Sequence, residues 1–295
     1  MNIVVFDIGG TEIKYGIILN GMLQDKHIID TEGHLGAKFV MDKLVSITIG
    51  YKEKYPIDGV GISTAGIINP ELGLVMKATG NIIDYTNFEV KKYLESQLSI
   101  PVWVENDVNC FLYAEKYINH HSHNFIVLTI GTGIGGASYI NGNIYRGNYF
   151  SGNEFGLTYH RDNLPWEKCA STSALIKNAK KRGINITNGI ELFNLYDNND
   201  PLAVEVVNQF YDDLAIGIVN LIYTYNPECV IIGGGISNRG EKFLNEINNA
   251  IQNRLDPFYA QQTTIQLSIL KNVSGMWGAY YHFLERENKI INKPF

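Results

Sequence analysis

A glycine-rich turn occurs twice in this 295-residue chain, each time at the end of an apolar, β-branched run. Residues 3–11 read IVVFDIGGT and residues 126–136 read IVLTIGTGIGG. After each turn the chain resumes as a second strand-like stretch, Ile13–Leu19 in the first case and Ala137–Ile140 in the second. Glycine permits positive φ and lets the main chain approach a ligand closely, so backbone N–H groups in such turns can converge on an anion. Two of them, about 120 residues apart and each at a β-hairpin, point to a duplicated scaffold that grips a polyphosphate from both sides.

Strand and helix patterns alternate along the rest of the chain. Short apolar runs bounded by glycine or proline predict strands at Ile3–Phe6, Tyr15–Leu19, Gly59–Ile62, Val102–Val104, Phe125–Thr129, Gly136–Ile140, Val230–Ile232 and Ile265–Leu267. Three-to-four spacing of apolar residues predicts helices at Lys38–Tyr51, Phe88–Leu98, Val108–Ile118, Thr172–Lys181, Ala203–Tyr225, Glu241–Arg254 and Val273–Glu285. The stretch LYDNNDP at 195–201 reads as a surface turn. Alternation of this kind implies α/β architecture.

A net charge of −6 argues against a general nucleic-acid binder, which needs a basic face to displace counterions. Cys110, Cys169 and Cys229 are scattered with no CxxC pair, which suits small buried hydrophobes in a reducing compartment and excludes a cysteine-rich zinc site. His120, His121 and His123 could ligate a metal, but no carboxylate or thiol accompanies them, and a solvated helix end is the simpler reading. No basic leader precedes the first strand and no run reaches the ~18 apolar residues of a membrane span. A cytoplasmic protein without membrane or nucleic-acid partners is expected.

Several polar residues stand where burial needs a reason. Asp7 ends an apolar strand just before Gly9, Gly10 and Thr11, so its carboxylate faces a cleft or a metal. Lys14 can reach a phosphate or simply extend to solvent. Gly131, Thr132, Gly133, Gly135 and Gly136 form the second turn. A third cluster, Gly233–Gly235 in VIIGGGIS, opens from a strand toward a helix; a flat glycine surface there accepts a planar ring, and the alternative is a tight strand-to-helix turn. Between the phosphate turns, PVWVENDVNC at 101–110 carries Asn106 and Asp107 from a strand into a helix start. Asp107 can act as an N-cap or as a general base; capping by Asn106 would leave it free.

The ordered set FDIGGTEIK, VGISTAG, PVWVENDVNC, LTIGTGIGG, SGNEFG and VIIGGGIS resembles the ROK family of bacterial sugar kinases, within the actin/hexokinase-like ATPase superfamily. The resemblance runs from residue 3 to about 286. It implies a two-lobed actin-like (ribonuclease H-like) fold with duplicated βββαβα-type cores around a cleft. Residues 1–115 with 274–295 would form the smaller lobe and 116–273 the larger. It also implies that Asp7–Thr11, Lys14 and Gly131–Gly136 grip ATP phosphates and Mg²⁺, the metal held by Asp7 through water. Gly233–Gly235 would lie against the adenosine. Asp107 would take the proton from the attacking sugar hydroxyl, usually O6, and Asn81, Asn106, Glu154 and Glu167 would hold the sugar. Family members are often homodimers.

One departure stands out. Typical members have Glu-x-Gly-His, whose histidine joins three cysteines on a structural zinc and touches the sugar near C1 and C2. This chain has Glu154-Phe155-Gly156-Leu157, and residues 158–168 (TYHRDNLPWEK) contain no cysteine. His160 alone cannot hold a structural zinc. The chain therefore resembles the zinc-free branch, whose members include N-acetylmannosamine, β-glucoside and glucose kinases. Apolar Leu157 in place of histidine suggests a pocket that tolerates a 2-acetamido group or a β-linked aglycone. Two rival readings remain: a sugar-responsive repressor, which would carry an added N-terminal helix-turn-helix that a first turn at residue 7 leaves no room for, and an actin-like ATPase without sugar transfer.

Overall fold

A computed structural model describes residues 1–118 and 123–288. In the first part of the chain the elements are β1 (Ile3–Ile8), β2 (Glu12–Leu19), β3 (Met22–Asp30), α1 (Ala37–Lys52), β4 (Gly59–Thr64), β5 (Ile67–Asn69), β6 (Leu74–Lys77), α2 (Val90–Leu98), β7 (Val102–Asn106) and α3 (Asp107–Ile118). Then come β8 (Phe125–Ile130), β9 (Ile134–Ile140), β10 (Asn143–Tyr145), α4 (Trp166–Ala170), α5 (Thr172–Lys181), α6 (Gly189–Asp197), α7 (Pro201–Tyr225), β11 (Cys229–Gly233), α8 (Glu241–Gln252), α9 (Pro257–Ala260), β12 (Thr264–Leu267) and α10 (Ser274–Arg286). The chain divides into two compact units. The first takes Met1–His121, Arg146–Gly152 and Asn272–Phe295; the second takes Ser122–Tyr145 and Asn153–Lys271.

Each unit is built on a five-stranded sheet, and the two sheets repeat one order: β3-β2-β1-β4-β7 in the first and β10-β9-β8-β11-β12 in the second. In both, an antiparallel three-strand meander is followed by parallel strands. The chain thus has an α/β fold with mixed sheets. The duplication anticipated from the two glycine turns is present at the level of topology.

Strand periodicity sorts the side chains of the first sheet. Val4, Phe6, Ile8, Val60, Ile62, Val102 and Val104 are buried with Val40, Met41 and Leu44 of α1 and Val90, Leu94 and Leu98 of α2. Ile3, Val5 and Ile18 face the other way, onto Met276, Tyr280 and Phe283 of α10. Two glycines admit that helix: a Cβ on Gly59 would lie 2.2 Å from Phe283 Cζ, and one on Gly61 would lie 2.6 Å from the Ala279 carbonyl oxygen. In the second unit the core gathers Ile126, Leu128 and Ile130, Val230 and Ile232, and the long apolar stripe of α7. Gly217 leaves room on that helix for the Trp166 ring, which would lie 2.0 Å from an added Cβ.

Several elements differ from the expected ones; β2 starts at Glu12 and β9 at Ile134, each earlier than its apolar run. The segment at 195–201 divides, Leu195–Asp197 closing α6 and Pro201 opening α7, whose first turn is capped by the Asp200 carboxylate on Ala203 N at 2.9 Å. The helix from Glu241 ends at Gln252 rather than Arg254, and α2 starts at Val90 rather than Phe88. Gly235 opens a short 3₁₀ turn, Gly235–Arg239, before α8. Cys110, Cys169 and Cys229 are all buried, and none is disulfide-bonded among the described residues. His120 and His121 lie outside the described residues; His123 lies within them.

Candidate active site

Sheet register brings the polar residues of the first unit into one row. Lys14 pairs with Asp7 across β2 and β1, Asp7 with Ser63 across β1 and β4, and Ser63 with Glu105 across β4 and β7. Ser63 Oγ donates to Asp7 Oδ1 at 2.7 Å, and Lys14 Nζ lies 3.6 Å from Asp7 Oδ2. Asp7 is therefore anchored on one oxygen and half-exposed. Gly275 of α10 comes close because it has no side chain: a Cβ there would sit 2.4 Å from Asp7 Cγ. Ser63 lies within VGISTAG, and its partner becomes visible only through the parallel pairing of β1 and β4.

The first glycine turn closes with Gly9 N donating to Glu12 O at 2.9 Å, and Thr31 Oγ1 donates to Gly9 O at 2.8 Å. Asp7, Gly9, Gly10, Thr11, Glu12 and Lys14 line a cavity of about 410 Å³. The side chain of Asn81 lies over Gly10, its Nδ2 only 2.5 Å from where a Cβ would be. Asn81, far away in sequence, thus joins the first turn.

The end of β7 carries the densest hydrogen bonding. Asn106 Oδ1 accepts from Val108 N at 2.9 Å and Asn109 N at 3.1 Å, so Asn106 caps α3. Its Nδ2 donates to Gly66 O at 3.0 Å and to Asp107 Oδ1 at 2.9 Å. All four hydrogen-bonding positions of that amide are used, three within the turn and one on the distant Gly66 carbonyl. Asp107 Oδ1 also accepts from Val108 N at 3.0 Å. Among the described residues no donor reaches Oδ2. Desolvation, followed by the nearby Asp7 charge, pushes the Asp107 carboxyl up to about 6, against the opposing hydrogen bonds.

In the second unit, Gly131 N donates to Gly133 O at 3.0 Å, and Thr172 N, at the start of α5, donates to Gly131 O at 2.9 Å. A Cβ on Gly133 would lie 2.6 Å from Glu167 Oε2, so Glu167 packs directly on this turn. Lys168 Nζ lies 2.8 Å from Glu167 Oε1. Glu154 is exposed on the approach to a short 3₁₀ turn, Phe155–Leu157, and Leu157 is 55% exposed. Side-chain contacts with α7 hold the 158–168 stretch. Buried Asp213 of α7 receives His160 Nε2 at 3.1 Å and Arg161 Nε and Nη2 at 2.7 and 2.9 Å, while its carbonyl accepts from Trp166 Nε1 at 2.9 Å.

Two expectations about the glycines are corrected. Of the candidate glycines only Gly234 has positive φ, at 88°. Gly10 and Gly133 instead serve by lacking a side chain, whereas an added Cβ on Gly131 would meet open space. Gly135 and Gly136 are not turn residues: they pair with Thr129 and Leu128 inside β9, and a Cβ on Gly136 would strike the Phe155 ring at 2.1 Å. Gly233 ends β11 opposite Thr129, Gly234 nestles against the Ile130 carbonyl, and Gly235 is open. The structure thus gathers Asp7, Gly9–Thr11, Lys14, Asn81, Asn106 and Asp107 in the first unit. Gly131–Gly136, Glu154, Glu167 and Gly233–Gly235 lie in the second.

The family model for the ROK family matches residues 3–286. The chain belongs to the ROK family. It is 33% identical over 305 residues to a beta-glucoside kinase of Listeria innocua, covering 98% of this chain and 99% of that one. It is 27% identical over 316 residues to a glucokinase of Halalkalibacterium halodurans, covering 96% and 95%. A solved ROK family protein from Streptococcus pneumoniae, in complex with sucrose, superposes with a TM-score of 0.87 at 26% identity, covering 98% of this chain and all of that one. ROK structures of this kind have the actin-like ATPase fold. Among the described residues no helix is long and apolar enough to cross a membrane.

Proposed function

We propose that the chain is an ATP-dependent sugar kinase that phosphorylates the 6-hydroxyl of a glucoside substituted at C1. The observation that carries the reaction type is the state of Asp107. One oxygen is fixed at the start of α3, the other is without a partner, and its affinity for protons is raised toward neutrality. A general base works best with a pKa near the working pH and with its proton-accepting atom unencumbered. In the proposed step Asp107 Oδ2 takes the hydroxyl proton as O6 attacks the γ-phosphorus. The bond to the β–γ bridging oxygen breaks and ADP departs. Such chemistry is chiefly positioning and charge stabilisation.

Asp7 suits a hydrated divalent cation. It is anchored by Ser63 and near enough to Asp107 for the two charges to repel. When bound there, Mg²⁺ would neutralise phosphate charge. Lys14 and the N–H groups of Gly10 and Thr11 are assigned to phosphate, as are those of Thr132 and Gly133 in the second turn, because the Gly9 and Gly131 N–H groups are bonded within their own turns. Asn106, its amide fully used, acts by aiming Asp107. Asn81, Glu154 and Glu167 are assigned to sugar hydroxyls.

Two similar proteins and one residue of this chain support the acceptor class. Sucrose and β-glucosides share a glucosyl unit whose C1 oxygen is substituted, and exposed Leu157 offers such a substituent an apolar neighbour. Steady-state ADP release with cellobiose, glucose and N-acetylmannosamine tests this. Cellobiose is expected to give the highest kcat/KM, and Leu157→His to move preference toward glucose. Equal ratios in wild type and variant would overturn the acceptor assignment.

A further inference from the structure

Glu105 immediately precedes Asn106 and has no exposed side-chain surface. Its two oxygens have different duties. Oε1 accepts from the Asn106 backbone N–H at 2.8 Å and from Asn109 Nδ2 at 3.0 Å, so it holds the turn that carries Asp107. Oε2 accepts from Arg146 Nε at 3.2 Å and Nη2 at 2.6 Å, a two-pronged contact. Arg146 Nη2 also donates to the Tyr113 hydroxyl of α3 at 3.2 Å. A carboxylate taken out of water needs a countercharge. Buried His282, 4.0 Å from Oε2, is not one: burial drives its pKa down to about 3, and its Nε2 accepts from Arg286 Nε at 3.1 Å. Burial, the largest single influence, works to raise the Glu105 carboxyl; the Arg146 charge and the surrounding contacts, among them the hydrogen bonds from Arg146 and Asn109, together outweigh it and leave Glu105 below the usual carboxylate range.

Arg146 is the first residue of the 146–152 excursion, which is closed at its neck by Gly152 N donating to Arg146 O at 2.8 Å. Tyr149 and Phe150 within it adopt left-handed backbone, φ 49° and 58°, a conformation that surrounding contacts must enforce.

We infer that Arg146 is a positioning residue for phosphoryl transfer: by neutralising buried Glu105 it allows the second oxygen of that carboxylate to hold the Asn106–Asp107 turn in place. This rests on the reading of Asp107 as the base. Without Arg146, Glu105 must take up a proton or draw in water, and either event disturbs the grip on Asn106 N and Asn109. Misplacing a reacting group by about 1 Å costs on the order of 10²-fold in rate.

The test uses the full chain with ATP and the same three acceptors, cellobiose, glucose and N-acetylmannosamine. Arg146→Met is expected to lower kcat by roughly 10²-fold while KM for ATP changes less than about threefold. Arg146→Lys keeps the charge and is expected to stay within about tenfold of wild type. In the double variant Glu105→Gln/Arg146→Met a neutral amide needs no countercharge and can still accept from Asn106 N. It is expected to recover at least about tenfold in kcat over Arg146→Met, a non-additivity that marks coupled residues. A double variant no faster than Arg146→Met, or Arg146→Met within threefold of wild type, overturns the inference. If Arg146→Met does not fold, the comparison of Arg146→Lys and the double variant with wild type decides: a double variant more than about 10²-fold slower overturns it. Failure of the base reading is separately visible, because it requires Asp107→Asn to remain active or wild type to transfer no phosphate.

Discussion

Asp107→Asn should remove activity while leaving the protein at least as stable as wild type. The substitution keeps the shape of the side chain, and the amide oxygen can still accept from Val108 N and Asn106 Nδ2, which lie 3.0 and 2.9 Å from the present carboxylate oxygen. The start of α3 keeps its Asn106 cap. The second position then becomes an NH₂ group, which cannot take a proton, and loss of a general base costs about 10²–10⁴-fold in kcat. The stability effect has the opposite sign. A carboxyl held at about 6 instead of its ordinary 3.8 is one whose ionised form is disfavoured in the folded state. The penalty is absent below about pH 3.8, grows between 3.8 and 6, and is full above 6, where it amounts to at most about 3 kcal/mol. Asparagine escapes it. At pH 7 the variant should melt a few degrees higher than wild type, and the gap should close as the pH falls toward 4. Coupled ADP release gives kcat, thermal unfolding across pH gives the stability difference, and calorimetry gives sugar affinity, which should weaken by no more than roughly tenfold with the loss of one charge-assisted hydrogen bond. More than about 10% of wild-type kcat, or a lower melting temperature at pH 7, would refute the reasoning.

Activity of the wild-type enzyme should fall on the acid side of about pH 6, because the base must be ionised to accept a proton and its pKa is raised; a kcat/KM profile flat down to pH 5 would contradict this. Asp213→Ala would strip the buried partner from His160 and Arg161; because the Arg161 side chain is 41% exposed and can rehydrate, the loss is about 1–3 kcal/mol. Differential scanning calorimetry should show a melting temperature lower by several degrees, with a raised KM for sugar as the 158–168 stretch loosens.

Much of this was legible in the sequence because it depends on local pattern. β-Branched runs that stop at glycine marked β1, β8 and β11, and Asn106 stood out as a cap that would spare Asp107. What pattern could not reveal depends on register or on distant packing. Ser63 meets Asp7 only because β1 and β4 pair in parallel. Arg146 meets Glu105 across 41 residues. β3, with alternation broken by Lys26 and His27, gave no apolar signal, and it is an exposed edge strand. The glycines were recognised for the wrong physical reason. Conformational freedom matters at Gly234, whereas Gly10, Gly133 and Gly136 are required by Asn81, Glu167 and Phe155, neighbours that no local reading supplies. The 158–168 stretch was legible only as a departure from the family's cysteine pattern. The Asp213 clasp that holds the same stretch draws on a residue in the middle of α7, more than 50 positions away from His160 in sequence.

Transfer of a phosphoryl group to a sugar hydroxyl can be watched by ³¹P NMR of a reaction containing ATP, Mg²⁺ and cellobiose. The γ-phosphate signal should be replaced by a phosphomonoester coupled to the protons on a C6 carbon, in equal amount to ADP, with little inorganic phosphate. ADP accompanied only by inorganic phosphate, with cellobiose, glucose and N-acetylmannosamine alike, would contradict transfer to sugar.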